Sequence, residues 1–270
     1  MNVNEVDAPT IMIRGGGDLA SGVALRLYRA GFQIVITELP APVMVRRRVS
    51  FAQAVFDGFC QVEEVVGKLA SSSVEASRFM KDGNVAILVD PKSETSLDFV
   101  LSGLVDGRMT KAVSDQQINA APCVIGLGPG FTAGENCHAV VETKRGQNLG
   151  RVYWEGCAEP DNGIPEVVNG FGVERVLYAP KDGILSVNTQ IGDLVEAGAL
   201  IASVDEEPVF SRFKGVIRGL IQGGLVVESG MKIGDLDPRC DISSCYLVSD
   251  KALAVGSGVM EVILTVLPNQ

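Results

Sequence analysis

Two hydrophobic periods share the first half of the chain. In "TIMIR", from Thr10 to Arg14, apolar residues crowd into a short run that reads as a buried strand. Leu19, Val23 and Leu27 then recur at i, i+4 and i+8, with Ala20 and Ala24 beside them, which is one face of a helix closing at Gly31. "FQIVITE" supplies a second strand, and "SFAQAVFDG" carries Ser50 and Gln53 at capping-box spacing with Gly58 as a stop, so a helix is expected there. "NVAILVD", "SGLVDG" and "CVIGLG" are further apolar runs ending in small or acidic residues. Strands alternating with helical stretches predict an α/β architecture: a Rossmann-like, doubly wound parallel sheet through about residue 130.

From about Val173 the texture changes, because long helical periodicity stops and glycines come at short intervals. "APKDGILSVNTQIGDLVEAGALI" can be laid over "SRFKGVIRGLIQGGLVVESGMKI" at a constant shift of 32 residues, which places Gly183 on Gly215, Gly192 on Gly224, Val195 and Glu196 on Val227 and Glu228, and Gly198 on Gly230. Two copies are too few for a solenoid, so the repeat predicts two interlocked halves of a small β-rich, barrel-sandwich-like module. "SDKALAVGSGVMEVILTVL" reads as a C-terminal helix with Ser249 as N-cap and Asp250 in its first turn. The expected division is residues 1–172, a Rossmann-like nucleotide-binding domain with a glycine-rich middle loop; 173–240, the β-rich module; and 241–270, a helix packing back on the first domain.

Composition narrows the classes. With 33 acidic against 23 basic residues and a net charge of −10, a nucleic-acid partner or an anionic membrane is disfavoured. Few aromatics, many glycines and a positive mean hydropathy suit a buried parallel sheet and an apolar subunit interface, hence a homo-oligomer. The start "MNVNEVDAPT" has no signal-peptide pattern and no run approaches the roughly 20 apolar residues of a membrane span, so a cytoplasmic chain is expected. Six cysteines lie scattered without a CxxC pair and read as free thiols.

Candidate chemistry starts at the first strand-to-helix connection. Gly15, Gly17 and Ala20 fit the G-x-G-x-x-A variant of the dinucleotide fingerprint, with Gly16 and Asp18 between them and Glu38 closing the second strand, where a carboxylate can accept ribose hydroxyls. The first glycine makes the turn, the second lets backbone approach a pyrophosphate, and the small third residue lets helix and strand pack closely; amides at the helix N-terminus then meet the anion. The alternative is a tight turn with no ligand. Asp18 would repel a phosphate unless it points away, and Arg46-Arg47-Arg48 either reaches a 2′-phosphate or forms a solvated face. A second glycine-rich segment, Gly128, Gly130, Thr132, Ala133 and Gly134, can form an anion-binding concavity at the same sheet edge or serve as a plain connector. His138, the one histidine, and Asp106 are the acid–base candidates, with Arg108 and Lys111 beside Asp106.

Six stretches, "IRGGGDLASGVALRLYRAGF", "ITELPAPVMVRRRVSF", "GLGPGFTAG", "HAVVET", "LGRV" and "IGDLDPR…C…SDKALAVGSGVMEVIL", resemble the YqeB family of the selenium-dependent molybdenum hydroxylase system over nearly the whole chain. The resemblance implies a role accompanying molybdenum hydroxylases, in maturation, and kinship with xanthine-dehydrogenase-type accessory proteins that carry a Rossmann domain; it brings no established reaction or catalytic residue. It points to a molybdenum hydroxylase or its cofactor-maturation proteins as partners. That family often has histidine where this chain has Gln147, so a paired-histidine metal site with His138 is not expected, and no metal site is predicted. Cys240 stands where a small residue is expected, which raises a Cys240–Cys245 pair as a weak alternative. The repeat also resembles biotinyl and lipoyl carriers, but its central segment "ASVDEEPVFSR" lacks the acceptor lysine, so no such modification is expected. The readings that follow are an accessory protein binding a nucleotide or a dinucleotide form of the molybdenum cofactor, an NAD(P)-dependent oxidoreductase, and a non-catalytic scaffold.

Overall fold

The computed structural model describes residues 8–267 apart from 111–113, 162, 164 and 166. The apolar runs of the first half become β1 (Thr10–Arg14), α1 (Asp18–Arg29), β2 (Gln33–Glu38), the single turn α2 (Ala54–Asp57), β3 (Phe59–Val62), β4 (Val65–Ala70), α3 (Ser73–Lys81), β5 (Val85–Val89), β6 (Leu101–Asp106), β7 (Val124–Leu127), β8 (Ala139–Val141) and β9 (Val152–Tyr153). They form one nine-stranded sheet in the order β3-β4-β5-β2-β1-β6-β7-β8-β9. The inner strands from β4 to β8 are parallel, whereas β3 pairs with β4 and β9 pairs with β8 antiparallel.

This corrects the expected Rossmann-like parallel sheet: the fold is mixed α/β. The physical reason lies in the connections. A parallel neighbour needs a crossover, usually a helix, but β3 turns into β4 through the tight turn Glu63–Glu64, with Glu63 at φ 52°. No α-helix links β6 to β7 or β7 to β8 among the described residues. Two other segments cover the sheet there. On one face lies α4 (Asp250–Val266), whose Val255, Val259 and Val262 join Val23 and Leu27 of α1 in the core over Ile125 and Val141. On the other face the segment after β7 packs Phe131, Ala133 and Cys137 against Val124 and Val140. A Cβ on Gly126 would stand 2.2 Å from the Phe131 ring, so glycine in β7 is what admits that ring.

Helix ends follow local chemistry. Ser249 caps α4 by accepting the Ala252 amide at 3.1 Å, as expected. The capping box expected at Ser50 and Gln53 does not form: the Ser50 hydroxyl donates to the Arg46 carbonyl at 2.9 Å, and the stretch becomes a short 3₁₀ turn running into α2. Gly58 does end it, in the left-handed region at φ 78°.

The later part holds β10 (Val176–Tyr178), β11 (Gly183–Val187), β12 (Leu194–Val195), β13 (Leu200–Val204), β14 (Glu207–Phe210), β15 (Gly215–Leu220), β16 (Val226–Val227) and β17 (Lys232–Asp237). Two four-stranded antiparallel sheets result, β10-β17-β15-β12 and β14-β13-β11-β16. The repeat is woven reciprocally: Gly183 of β11 pairs with Val227 of β16, and Gly215 of β15 with Val195 of β12. The expectation of a separate barrel-sandwich module is nevertheless corrected. The segment after β2 is stitched into this part: the Leu220 amide donates to Val45 O at 2.8 Å, and a Cβ on Gly219 would lie 2.6 Å from Val45. Among the described residues no helix is long and apolar enough to cross a membrane.

Candidate functional site

At β1 the strand order reverses, since β2 lies on one side of it and β6 on the other. In open α/β sheets such a reversal leaves a crevice beyond the carboxyl ends of the strands. A cleft of about 580 Å³ stands there, lined by Gly15, Gly17 and Arg14 on one wall and by Val45, Lys232 and Asp235 on the other. The second wall comes from the segment after β2 and from β17, so the cleft exists because the woven β part leans over the sheet edge.

The three glycines have three different reasons. Gly15 is at φ 87°, a conformation glycine tolerates and other residues rarely adopt, and its amide donates to Thr37 O at 2.8 Å. Gly16 is needed for space, because a Cβ would meet Ala52 N at 2.9 Å; its amide donates to Glu38 Oε2 at 2.6 Å. Gly17 has neither constraint: φ is −70°, ψ is −177°, and a Cβ would meet nothing within 4 Å. It is the N-cap of α1 without a side-chain cap, leaving first-turn amides without a capping acceptor on the cleft wall. Ala20 is buried where the backbone of β6 closes in, its Cβ 2.9 Å from the place a Cβ on Gly107 would take.

Charge around the loop is arranged by arginines. Asp18 turns toward Arg46, whose Nη1 donates to both carboxylate oxygens at 3.1 and 3.2 Å, so the carboxylate beside the helix end is neutralised. Arg46 Nη2 donates to the Ser244 and Leu247 carbonyls, and Arg47 Nε to Leu220 O at 2.7 Å. These two side chains fasten the β part to the sheet edge, while Arg48 is exposed.

Behind the loop lies Arg14, the last residue of β1 and only 5 % exposed. Its Nε donates to Ser93 Oγ at 3.1 Å and its Nη1 to Gln116 Oε1 at 2.9 Å, while Nη2 has no hydrogen bond among the described residues. Ser93 sits in the left-handed region at φ 57° and shares a 2.7 Å hydrogen bond with Thr37. Asp106 is buried behind this layer, held by Arg108 Nε at 3.0 Å and by the Ser114 hydroxyl at 3.2 Å. Burial works against the Arg108 charge, but Asp106 and Asp115 raise its pKa; in return the Arg108 hydrogen bond, opposed by burial and helped by Arg14, pulls Asp115 down to about 2.

The structure brings Gly15, Gly16, Gly17, Asp18, Ala20 and Glu38 together at one edge, and the candidates Asp106, Gly128, Gly130, Thr132 and His138 do not line the cleft. His138 precedes β8 at the opposite edge, its Nδ1 accepting the Val124 amide at 3.0 Å. The space beside Gly128 is filled by Thr143, Gly130 O accepts the Ser114 amide, and the Thr132 amide is taken by Asn136 at 2.9 Å. Neither Gly130 nor Thr132 reaches the cleft. The segment serves the sheet face through Phe131, while its Pro129 lines the space adjoining the cleft. Lys111 lies outside the described residues. The thiols of Cys240 and Cys245 turn to different carbonyls, those of Pro238 and Ile217, and all six cysteines are free. Among the described residues no group of three or more His, Cys, Asp or Glu is placed to hold a metal ion.

Sequence reasoning missed Arg14, Ser93 and the β17 wall. Arg14 carried a signal, a charge ending an otherwise apolar strand; Ser93 and Lys232 carried none, because only folding brings them to the glycine loop.

Fold and cleft define a mixed α/β protein with a ligand-sized crevice at the switch point of its sheet. No family model matches the chain. It is 44 % identical over 257 residues to protein YqeB of Escherichia coli (strain K12), an alignment spanning 95 % of this chain and 48 % of that protein. The identity supports kinship with the YqeB family, and the chain spans about half the length of that relative. Among solved structures, an aspartoacylase family protein of Mesorhizobium loti aligns over 85 % of both chains at 14 % identity with a TM-score of 0.28. The ectoine utilization protein EutE (DoeB) of Ruegeria pomeroyi aligns over 85 % of this chain and 86 % of its own at 11 % identity and a TM-score of 0.27.

Proposed function

We propose that the chain binds a phosphorylated ligand of the nucleotide or dinucleotide class at the loop Gly15–Asp18, as an accessory protein in the maturation of a molybdenum hydroxylase. The observation that carries the reading is Gly17. Folding does not require glycine there, since its backbone is ordinary and its Cβ position is empty, yet the missing side chain keeps the α1 N-terminus open to the cleft. Arg14, whose Nη1 pairs with Asp115 at 3.2 Å and Asp106 at 3.6 Å, keeps Nη2 without a hydrogen bond among the described residues and so offers that wall a donor. Glu38 takes one amide on each carboxylate oxygen, Gly16 and Leu39, and each oxygen retains acceptor capacity for a sugar hydroxyl.

The molybdenum hydroxylase context rests on the family resemblance, and a dinucleotide form of the molybdenum cofactor is the ligand that joins it to the cleft. An NAD(P)-dependent oxidoreductase has less support: His138 stands at the far edge, and Asp106 is enclosed by Arg108 and Ser114. The test is mass spectrometry of gently purified protein for a retained nucleotide or pterin, followed by titration with ADP-ribose and NAD. Loss of retention in Gly17→Val supports the reading; no nucleotide or pterin bound by the native chain sinks it and leaves the scaffold.

A further inference from the structure

Beyond Asp18 and Arg46 the cleft continues into a second chamber of about 850 Å³; Leu19 and Met109 line both spaces. Among the described lining residues seven side chains are cationic and four are carboxylates, in a protein whose net charge is −10. Most of these cations are matched. Arg145 holds Asp250 at 2.7 Å, Lys144 holds Glu159 at 2.9 Å, and Arg175 holds Asp235 at 3.2 Å. Arg239 folds back on Asp237, and Arg46 is committed to Asp18.

Arg218, on β15, differs. Its side chain is 17 % exposed and makes no hydrogen bond to a described residue, and its Nε is buried without a partner. The nearest carboxylates, on Asp235 and Asp237, stand 3.9 and 3.8 Å away, beyond hydrogen-bond distance, and are already claimed by Arg175 and Arg239. A buried guanidinium without hydrogen bonds is costly, and an anion in the chamber would relieve that cost with charge-assisted bonds to its remaining nitrogens. Burial first, and then the neighbouring Arg46, lower the pKa of Arg218, while Asp235, Asp237 and Asp18 act the other way; charge is compensated at a distance, and what the guanidinium lacks is a hydrogen-bond acceptor.

We infer that Arg218 is the anion-recognising residue of this second chamber, which takes a phosphate or carboxylate group. Resting on the reading of the glycine loop as a phosphate cradle, it follows that the natural ligand is extended and carries two separated anionic groups, one at each end of the cleft. A mononucleotide with a single phosphate cluster would leave Arg218 unmatched; a dinucleotide or a phosphorylated conjugate with a second acidic group would not.

Calorimetric titration of the full chain with inorganic pyrophosphate tests this. The native chain is expected to take up two equivalents, with Arg218→Met weakening one by roughly tenfold or more and Gly17→Val removing the other. Arg218→Lys should restore part of the lost affinity, and it serves as the folded control if Arg218→Met fails to fold. The pyrophosphate-dependent rise in melting temperature should shrink in Arg218→Met, while its melting temperature without anion should not fall. Two undiminished equivalents in Arg218→Met overturn this inference and leave the glycine loop standing. Two equivalents retained by Gly17→Val, with one lost in Arg218→Met, support the Arg218 site and sink the glycine-loop reading. No uptake by the native chain sinks both.

Discussion

Gly22 of α1 and Gly256 of α4 meet where the two helices cross: a Cβ on Gly22 would stand 2.6 Å from the Ala252 Cβ, and one on Gly256 would stand 3.0 Å from the Gly22 carbonyl oxygen. The crossing sets the position of α4, which covers strands that no crossover helix protects among the described residues. Gly22→Val must therefore pry the helices apart. A loss of about 1–3 kcal/mol is expected, the usual cost of overpacking a close contact, measured by urea unfolding.

Gly17→Val is the opposite case. Its side chain enters open space with a backbone already in an allowed region, so the stability change should stay within about 0.5 kcal/mol. Binding of a phosphorylated ligand at the glycine loop should be lost. A large fall in melting temperature would mean that Gly17 serves the fold instead.

Glu38 ties the loop down through the amides of Gly16 and Leu39, at 2.6 and 2.7 Å. Glu38→Ala should cost about 1–2 kcal/mol of stability and weaken a ribose-containing ligand by roughly 1.5–3 kcal/mol, as expected when charge-assisted hydrogen bonds are lost. ADP-ribose and inorganic pyrophosphate separate the two effects: a loosened loop weakens both, whereas a lost ribose contact weakens ADP-ribose alone.

Acid stability follows from carboxylates held below their ordinary range. The Arg108 hydrogen bond pulls Asp115 to about 2, the Arg145 hydrogen bond lowers Asp250, and Arg239 lowers Asp237 against the opposing effect of burial. A depressed folded pKa contributes stability above the unfolded value, about 3.9 for Asp, and that contribution is lost as pH falls through the folded value. Stability should therefore be flat near neutrality with respect to these groups and fall between about pH 4 and 2. Asp115→Asn should make that fall shallower. The effect is modest, because the Asp115 side chain is 69 % exposed and water screens its pairs.

Thiol reactivity reports the core. Burial pushes Cys60 up to about 12 and Cys123 and Cys137 to about 11, whereas Cys157 is exposed. With a disulfide reagent at mildly alkaline pH, Cys157 should react first and half-buried Cys240 more slowly. Cys60, Cys123, Cys137 and Cys245 should react only on unfolding. Fast labelling of Cys137 in the native protein would contradict the packing of the segment after β7.

Local chemistry made several elements legible in the sequence. An apolar run followed by a glycine turn and a helical face gave β1, α1 and β2 in order; Ser249 marked the start of α4; the shift of 32 residues foretold strands that pair reciprocally, Gly183 with Val227 and Gly215 with Val195. Each signal is carried by neighbouring residues or by a regular spacing, so it survives without knowledge of the partner.

What only tertiary structure decided depends on contacts between distant residues. The direction of an edge strand follows from its connection, which made β3 and β9 antiparallel and the sheet mixed. Phe131 looks like part of a glycine-rich functional loop until Gly126 is seen to make room for its ring. Arg46 and Arg47 look like a solvated basic run, yet their acceptors are carbonyls some 170 to 200 residues away. Arg218 is an ordinary strand arginine in sequence; it becomes a site only because folding gives Asp235 and Asp237 to other arginines and leaves its own guanidinium in the cleft without a hydrogen bond.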